Sequence, residues 1–145
     1  MIAANHAIIG GLIAVAIPEP LVAIPLALTS HFVLDSLPHF GTKKLKNFFR
    51  VFYSDAALVT LFYLILFLTR PSHWVLIAIC AFVAMSPDIM WAPNGIRTLK
   101  GIPRKKLNKI MRFHKNIQWG EREWGMFVEI PWLIIFSYVF FISER

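Results

Sequence analysis

The chain has 145 residues, of which 57% are hydrophobic and 16% charged, and it carries a net charge of +7. A soluble domain would carry roughly 25% charged residues, and the apolar residues here run in blocks rather than alternating, so the composition favours a chain whose solvent is lipid. The single cysteine, Cys80, lies inside an apolar run and excludes a disulfide framework.

Five apolar segments are expected, with one membrane domain using nearly the whole length. The first covers about 2–17 and ends at Ile17-Pro18-Glu19-Pro20, where two prolines force a turn. It lacks a basic leader and runs straight into a second apolar segment, so it does not read as a signal peptide. The second covers about 20–37 and stops at Pro38; the third, about 51–69, is closed by Arg70-Pro71-Ser72. The fourth, about 73–92, is closed by Ala92-Pro93-Asn94-Gly95, and the fifth covers about 124–142. The expected fold is therefore all-α, an integral membrane bundle of about five transmembrane helices.

Twelve of the fifteen Lys and Arg fall in two short stretches, four in 43–50 and eight in 97–115. Placing both in the cytoplasm satisfies the positive-inside rule and makes every crossing alternate, as expected of a multi-pass protein of the cell's inner membrane. Residues 100–116 read as an amphipathic interfacial helix, with Leu107, Ile110, Met111 and His114 at i, i+3, i+4 and i+7 and Lys105, Lys106, Lys109 and Arg112 on the other side. Such a helix lies among head groups and attracts anionic lipid; a bare topology signal is the alternative. No base-reading motif accompanies the charge, so no nucleic-acid partner is expected.

Polar groups inside spans are expensive and usually functional. With this topology His6, His31, Asp35, His39, Asp55, Asp88, His114 and Glu129 all fall at the inner face, whereas His73 and Glu19 fall outside. Histidine and carboxylate are the usual ligands of Zn, Mn and Fe. His31, Asp35 and His39 form H-x3-D-x3-H; neighbours at i and i+4 share a helix face and rise about 6 Å, but the outer pair lie about 12 Å apart. The three therefore imply either two metals with Asp35 between them or a break at Pro38 that swings His39 round. Plainer roles compete: Asp88 after Ser86-Pro87 suits a helix cap, Asp55 a partner for the basic loops, Asp35 a partner for a nearby histidine, and His73 beside Trp74 an interface anchor.

The elements Asn5-His6, Ser30-His31-Phe32-Val33-Leu34-Asp35 and Ser86-Pro87-Asp88 resemble those of the membrane-bound metal-dependent hydrolase-like family, which includes LexA-binding inner-membrane proteins and is distantly similar to zinc phospholipase C and P1 nuclease. The resemblance implies His6, His31, Asp35 and Asp88 as metal ligands, and phosphoester hydrolysis as the activity. Three features differ. Asp88 is followed by Ile89, Met90 and Trp91 instead of a second Asp and a His; the Pro-Asp element follows the S-H-x3-D helix rather than preceding it; and the family's H-R-G-x-T-H-S element is absent, His114-Lys115-Asn116-Ile117-Gln118 being its candidate counterpart with one His. The expected activity is a divalent-metal hydrolase, with zinc as the first choice of ion, acting on a phospholipid or lipid-linked phosphate at the cytoplasmic face. His39 and His114 join the candidate ligands, and Asp55 or Glu129 is the expected general base. The competing readings are a non-enzymatic membrane protein with a structural metal site or polar cluster, and a proton or metal-ion transporter.

Overall fold

In a computed structural model the described residues are 1–42, 44–103 and 105–143. They form seven α-helices and one two-stranded sheet: α1 (Ala3–Ala16), α2 (Pro20–Asp35), β1 (His39–Phe40), α3 (Leu45–Thr69), α4 (Trp74–Ile89), α5 (Ala92–Leu99), α6 (Lys109–Ile117), β2 (Glu121–Arg122) and α7 (Met126–Ser143). The chain is thus mainly helical, as its hydropathy blocks require.

Three segments are long and apolar enough to cross a membrane, Leu45–Thr69, Trp74–Gly95 and Glu123–Ser143. Their outward surfaces are greasy. Leu66 is the one buried residue of α3, while Phe52, Leu61, Leu64, Phe67 and Leu68 stand exposed along it. A helix apolar all round but barely covered by protein is suited to lipid. The other two apolar helices are shorter. At 1.5 Å per residue, α1 with 14 residues reaches about 21 Å and α2 with 16 about 24 Å. The expectation of five full spans thus resolves into three helices of spanning length and two that stop short of the ~30 Å hydrocarbon layer.

Helix α1 is the centre of the fold, packing against α2, α3, α4 and α7. Small residues let it come close. A Cβ on Gly10 would collide with the Cys80 carbonyl oxygen and lie 2.7 Å from the Ala84 Cβ. Ala7, Ala14, Ala81 and Ala84 continue this seam and are fully buried. Close backbone approach over small side chains is how helices associate where lipid removes the hydrophobic drive. Helix α2 starts at Pro20, with Glu19 capping Leu21 N–H, and buries the stripe Ala23, Ala27, His31, Leu34 and Asp35. One helical face thus changes from small apolar residues to a histidine and an acid at its C-terminal end.

The expected helix over 100–116 is not formed as one piece. Gly101 takes a left-handed φ of 67°, Pro103 follows, and residues 105–108 are not helical. Helix α6 begins at Lys109, where the Asn108 side chain accepts from Met111 N–H at 2.8 Å. Within α6 His114 is buried, while Ile110, Phe113, Lys109, Arg112 and Lys115 are exposed. After α6 the chain returns to the end of α2, where β1 and β2 pair in parallel with His39 opposite Glu121 and Phe40 opposite Arg122. Two glycines permit this. A Cβ on Gly120 would sit 2.8 Å from the Leu37 carbonyl oxygen, and one on Gly125 would collide with the backbone of His39.

Candidate metal centre

The buried stripe of α2 delivers His31 and Asp35 to one point, α4 delivers Asp88, and the α6 return delivers His114. One ligand atom from each of these four lies within 4.8 Å of the others. Among the described residues this is the one group of histidines, cysteines and acids that closes to metal-binding distance. The individual distances are short. The Nε2 atoms of His31 and His114 are 3.0 Å apart. Asp35 Oδ2 lies 2.8 Å from His114 Nε2 and 3.2 Å from His31 Nε2. Asp88 Oδ1 lies 3.7 Å from His114 Nε2 and 3.8 Å from His31 Nε2. His31, Asp35 and His114 are fully buried, whereas the Asp88 side chain keeps 35% exposure, so the cluster opens to its surroundings at Asp88.

Outer contacts orient these groups. His31 Nδ1 is 2.7 Å from the Ala84 carbonyl oxygen, which can only accept. Nδ1 therefore donates to that carbonyl and Nε2 faces the cluster, the orientation usual for a metal-ligating histidine. His114 Nδ1 accepts from the Trp91 indole N–H at 2.9 Å. Gln118 Nε2 donates to Asp35 Oδ2 at 3.1 Å. Asp35 Oδ1 accepts from the Met1 amino group at 2.5 Å. This donor set, two imidazoles and two carboxylates, suits a divalent ion such as zinc, and a buried carboxylate needs such compensation from cations or donors.

The other sequence candidates lie near the cluster in different roles. His6 stacks on His31 with ring centroids 4.1 Å apart and places Nε2 at 3.2 Å from Asp35 Oδ1. Its Nδ1, like Asn5 Oδ1, is buried with no hydrogen-bond partner among the described residues. His39 is outside the group of four. Beyond Asp35 the chain leaves the helix, and His39 Nδ1 donates instead to the Leu37 carbonyl at 2.8 Å. Of the H-x3-D-x3-H spacing, only the first pair converges. Burial, together with repulsion from the Met1 amino group, pushes the His39 imidazole below its ordinary pKa.

Asp55 and Glu129 spend their oxygens on backbone amides. Asp55 accepts from Ala3 N–H and Ala4 N–H, both at 2.8 Å, and so closes the amino end of α1 from α3. Glu129 accepts from Ile2 N–H at 2.6 Å and Phe40 N–H at 2.7 Å, tying α7 to the start of the chain and to β1. Neither belongs to the four-residue group. Both hold α1 and β1, and through them the histidines, in register.

Gln118 and Trp91 had no place in the ligand set expected from the sequence. Gln118 follows His114 by four positions, which puts it on the same helical face, and Trp91 follows Asp88 by three. That spacing was the available signal for both. No family model, curated protein or solved structure matches the chain.

Proposed function

We propose that the chain is a membrane-embedded, metal-dependent hydrolase acting on a phosphoester, a phospholipid or lipid-linked phosphate, at the cytoplasmic face. The observation that carries this reading is the convergence of His31, Asp35, Asp88 and His114 within 4.8 Å from three separate helices. The five apolar helices would sit in the inner membrane as a multi-pass bundle, α1 and α2 embedded without reaching as far as the other three. The resemblance of the Asn5-His6, S-H-x3-D and Ser-Pro-Asp elements to the membrane-bound metal-dependent hydrolase-like family supports it, and adds His6 to the ligand set.

His31, Asp35 and His114 would hold the ion, with zinc preferred over Mn or Fe for a site this rich in imidazole. When bound, a divalent metal supplies Lewis-acid polarisation of a phosphoryl oxygen. Asp88, the partly exposed member, takes either the fourth ligand position or the proton of an attacking water, since it stands where a substrate would enter. The base role moves to Asp88 because the oxygens of Asp55 and Glu129 are already held by backbone amides. The exposed Lys105, Lys106, Lys109, Arg112 and Lys115 would draw anionic head groups toward this face.

One observation favours a second reading, a polar latch without catalysis. Asp35 already receives the Met1 amino group, His6, His114 and Gln118. Such a network neutralises its charge without an ion. Elemental analysis of the detergent-purified protein, wild type beside the double variant His31→Ala/Asp35→Ala, separates the two. Stoichiometric Zn, Mn or Fe that disappears in the variant supports the metal centre, and phosphoester cleavage by the loaded protein then tests hydrolysis. No metal in either, even after reloading, leaves the latch.

A further inference from the structure

Gln118 is the only glutamine of the chain, and its side chain ends inside the cluster. Its backbone N–H donates to the His114 carbonyl at the end of α6, and it opens the turn Gln118–Gly120. The close approach of Gly120 to the Leu37 carbonyl, two residues past Asp35, fixes this turn against the end of α2. The Gln118 carboxamide nitrogen lies 3.1 Å from Asp35 Oδ2 and 3.2 Å from His114 Nε2. Those two atoms are 2.8 Å apart. His31 Nε2 stands 3.2 Å from the first and 3.0 Å from the second. Two triangles of ligand-type atoms therefore share the Asp35–His114 edge. In a tetrahedral zinc site, with ligands at about 2.0–2.1 Å, neighbouring ligand atoms stand about 3.3–3.4 Å apart. Gln118 is close enough to both of its neighbours to share an ion with them. Asp88 Oδ1, at 3.7 and 3.8 Å from the two imidazoles, stands beyond that spacing.

We propose that Gln118 is the fourth metal ligand, through its side-chain oxygen Oε1, and that Asp88 is left to the substrate. The inference rests on the metal-centre reading above and decides between the two roles open to Asp88. A carboxamide carries an acceptor and a donor on one planar end. Without an ion its NH2 faces the cluster and donates to Asp35 Oδ2, compensating the buried carboxylate. Half a turn about the last side-chain bond puts Oε1 where the nitrogen was and offers the site a neutral oxygen. The side chain is half-buried rather than enclosed, so this turn does not need the core to move. Two imidazoles, one carboxamide and one carboxylate leave a divalent ion one positive charge in excess, which a second carboxylate would cancel. This donor set therefore favours an anionic ligand such as a phosphate group. Zinc sites expand to a fifth position, and the open side at Asp88 is where an anionic oxygen would enter.

The test uses the full chain in detergent, stripped with chelator, with zinc alone as the probe. Because the chain has one glutamine, carbon-13 placed in glutamine side-chain carbonyls reports Gln118 alone in the infrared. Zinc should lower that carbonyl stretch, with the change complete at one equivalent, since coordination draws electron density from the C=O bond. Calorimetry reads the affinity. Gln118→Leu should bind zinc about tenfold more weakly or worse, the loss that even outer partners of a metal site bring. Gln118→Glu, which keeps the oxygen and removes the NH2, should bind at least as tightly as wild type. A carbonyl stretch unmoved at zinc saturation overturns the proposal, provided His31→Ala abolishes binding; that result leaves the metal centre standing, with Gln118 only a donor to Asp35. Equal losses of affinity in Gln118→Glu and Gln118→Leu overturn it likewise, because the donor is what both variants lack. The labelled wild type decides the matter if either variant fails to fold. Failure of zinc to bind wild type sinks the metal centre and this inference together.

Discussion

Replacing Asp35 by asparagine changes one atom and removes one charge, and its cost can be worked from the contacts. The carboxylate is fully buried and accepts at both oxygens. Oδ1 faces the Met1 amino group at 2.5 Å and His6 Nε2 at 3.2 Å; Oδ2 faces His114 Nε2 at 2.8 Å and Gln118 Nε2 at 3.1 Å. An amide has one oxygen, so in either orientation its NH2 meets two donors, and the Met1 ammonium loses its buried counter-charge. Breaking a buried ion pair from one side costs about 3–5 kcal/mol. For a chain of 145 residues that is a fall in melting temperature of roughly 10–16 °C. The assay is thermal unfolding in detergent, followed by helical circular dichroism with chelator present, so that loss of metal does not contribute. A variant melting within about 2 °C of wild type would refute the reasoning, because it would mean that Asp35 is not the charge around which these donors are organised.

Other consequences are as specific. Gly10→Ala should destabilise by about 1–3 kcal/mol, since its Cβ meets backbone and Ala84 rather than flexible side-chain ends; Gly95→Ala, with nothing within 4 Å, serves as the control in the same denaturation series. Glu129→Gln should cost about 1–3 kcal/mol by turning an amide NH2 toward either Ile2 N–H or Phe40 N–H, yet leave metal content unchanged; loss of metal at full stability would contradict the anchoring role. Because the buried His39 ring resists protonation, the unfolded chain binds more protons below the ordinary value of 6.5. Stability should therefore decline as pH falls from about 6.5, and His39→Asn, which keeps a donor for the Leu37 carbonyl, should flatten that decline in pH-dependent melts. If zinc binds the native cluster alone, zinc at a hundred times its dissociation constant should stabilise wild type by about 2.7 kcal/mol and His31→Ala hardly at all.

The positions of the apolar helices were legible because hydropathy blocks and proline punctuation are local signals. Pro20, Pro38 and Pro71 bound the helices close to where the chain turns. The convergence of His31, Asp35, Asp88 and His114 was legible because the topology set all four at one level, and an i, i+4 pair on α2 needs no tertiary knowledge. The roles of Asp55 and Glu129 were not. A buried carboxylate that accepts from the amino end of another helix looks, in one dimension, like a base within a span. The partner amides of Ala3 and Phe40 are 52 and 89 residues away. Helicity over 100–116 failed for a local reason: an amphipathic spacing was followed across Pro103, where the chain is not helical, although Asn108 is a better starting residue. A break before His39 was among the expectations at Pro38, but the chain beyond α2 turns His39 to the Leu37 carbonyl rather than into the group of four.

The unequal lengths of the helices bear on the bilayer itself. Helix α1, of about 21 Å, packs on α3, whose 25 residues reach about 37 Å, and α2, of about 24 Å, packs on α1 and α4 with much of its outer face exposed. A bilayer around such a body would be pulled thin along the exposed face of α2, at a fraction of a kcal/mol for each ångström of mismatch. The apolar hollow lined by Ile9, Ile13, Leu26, Val33 and Leu34 lies on that side, with a cavity volume of about 300 Å³. Short-chain lipids fit a thinned collar better than long-chain ones. Acyl length in a surrounding membrane would then tune the stability of the centre at the ends of these helices.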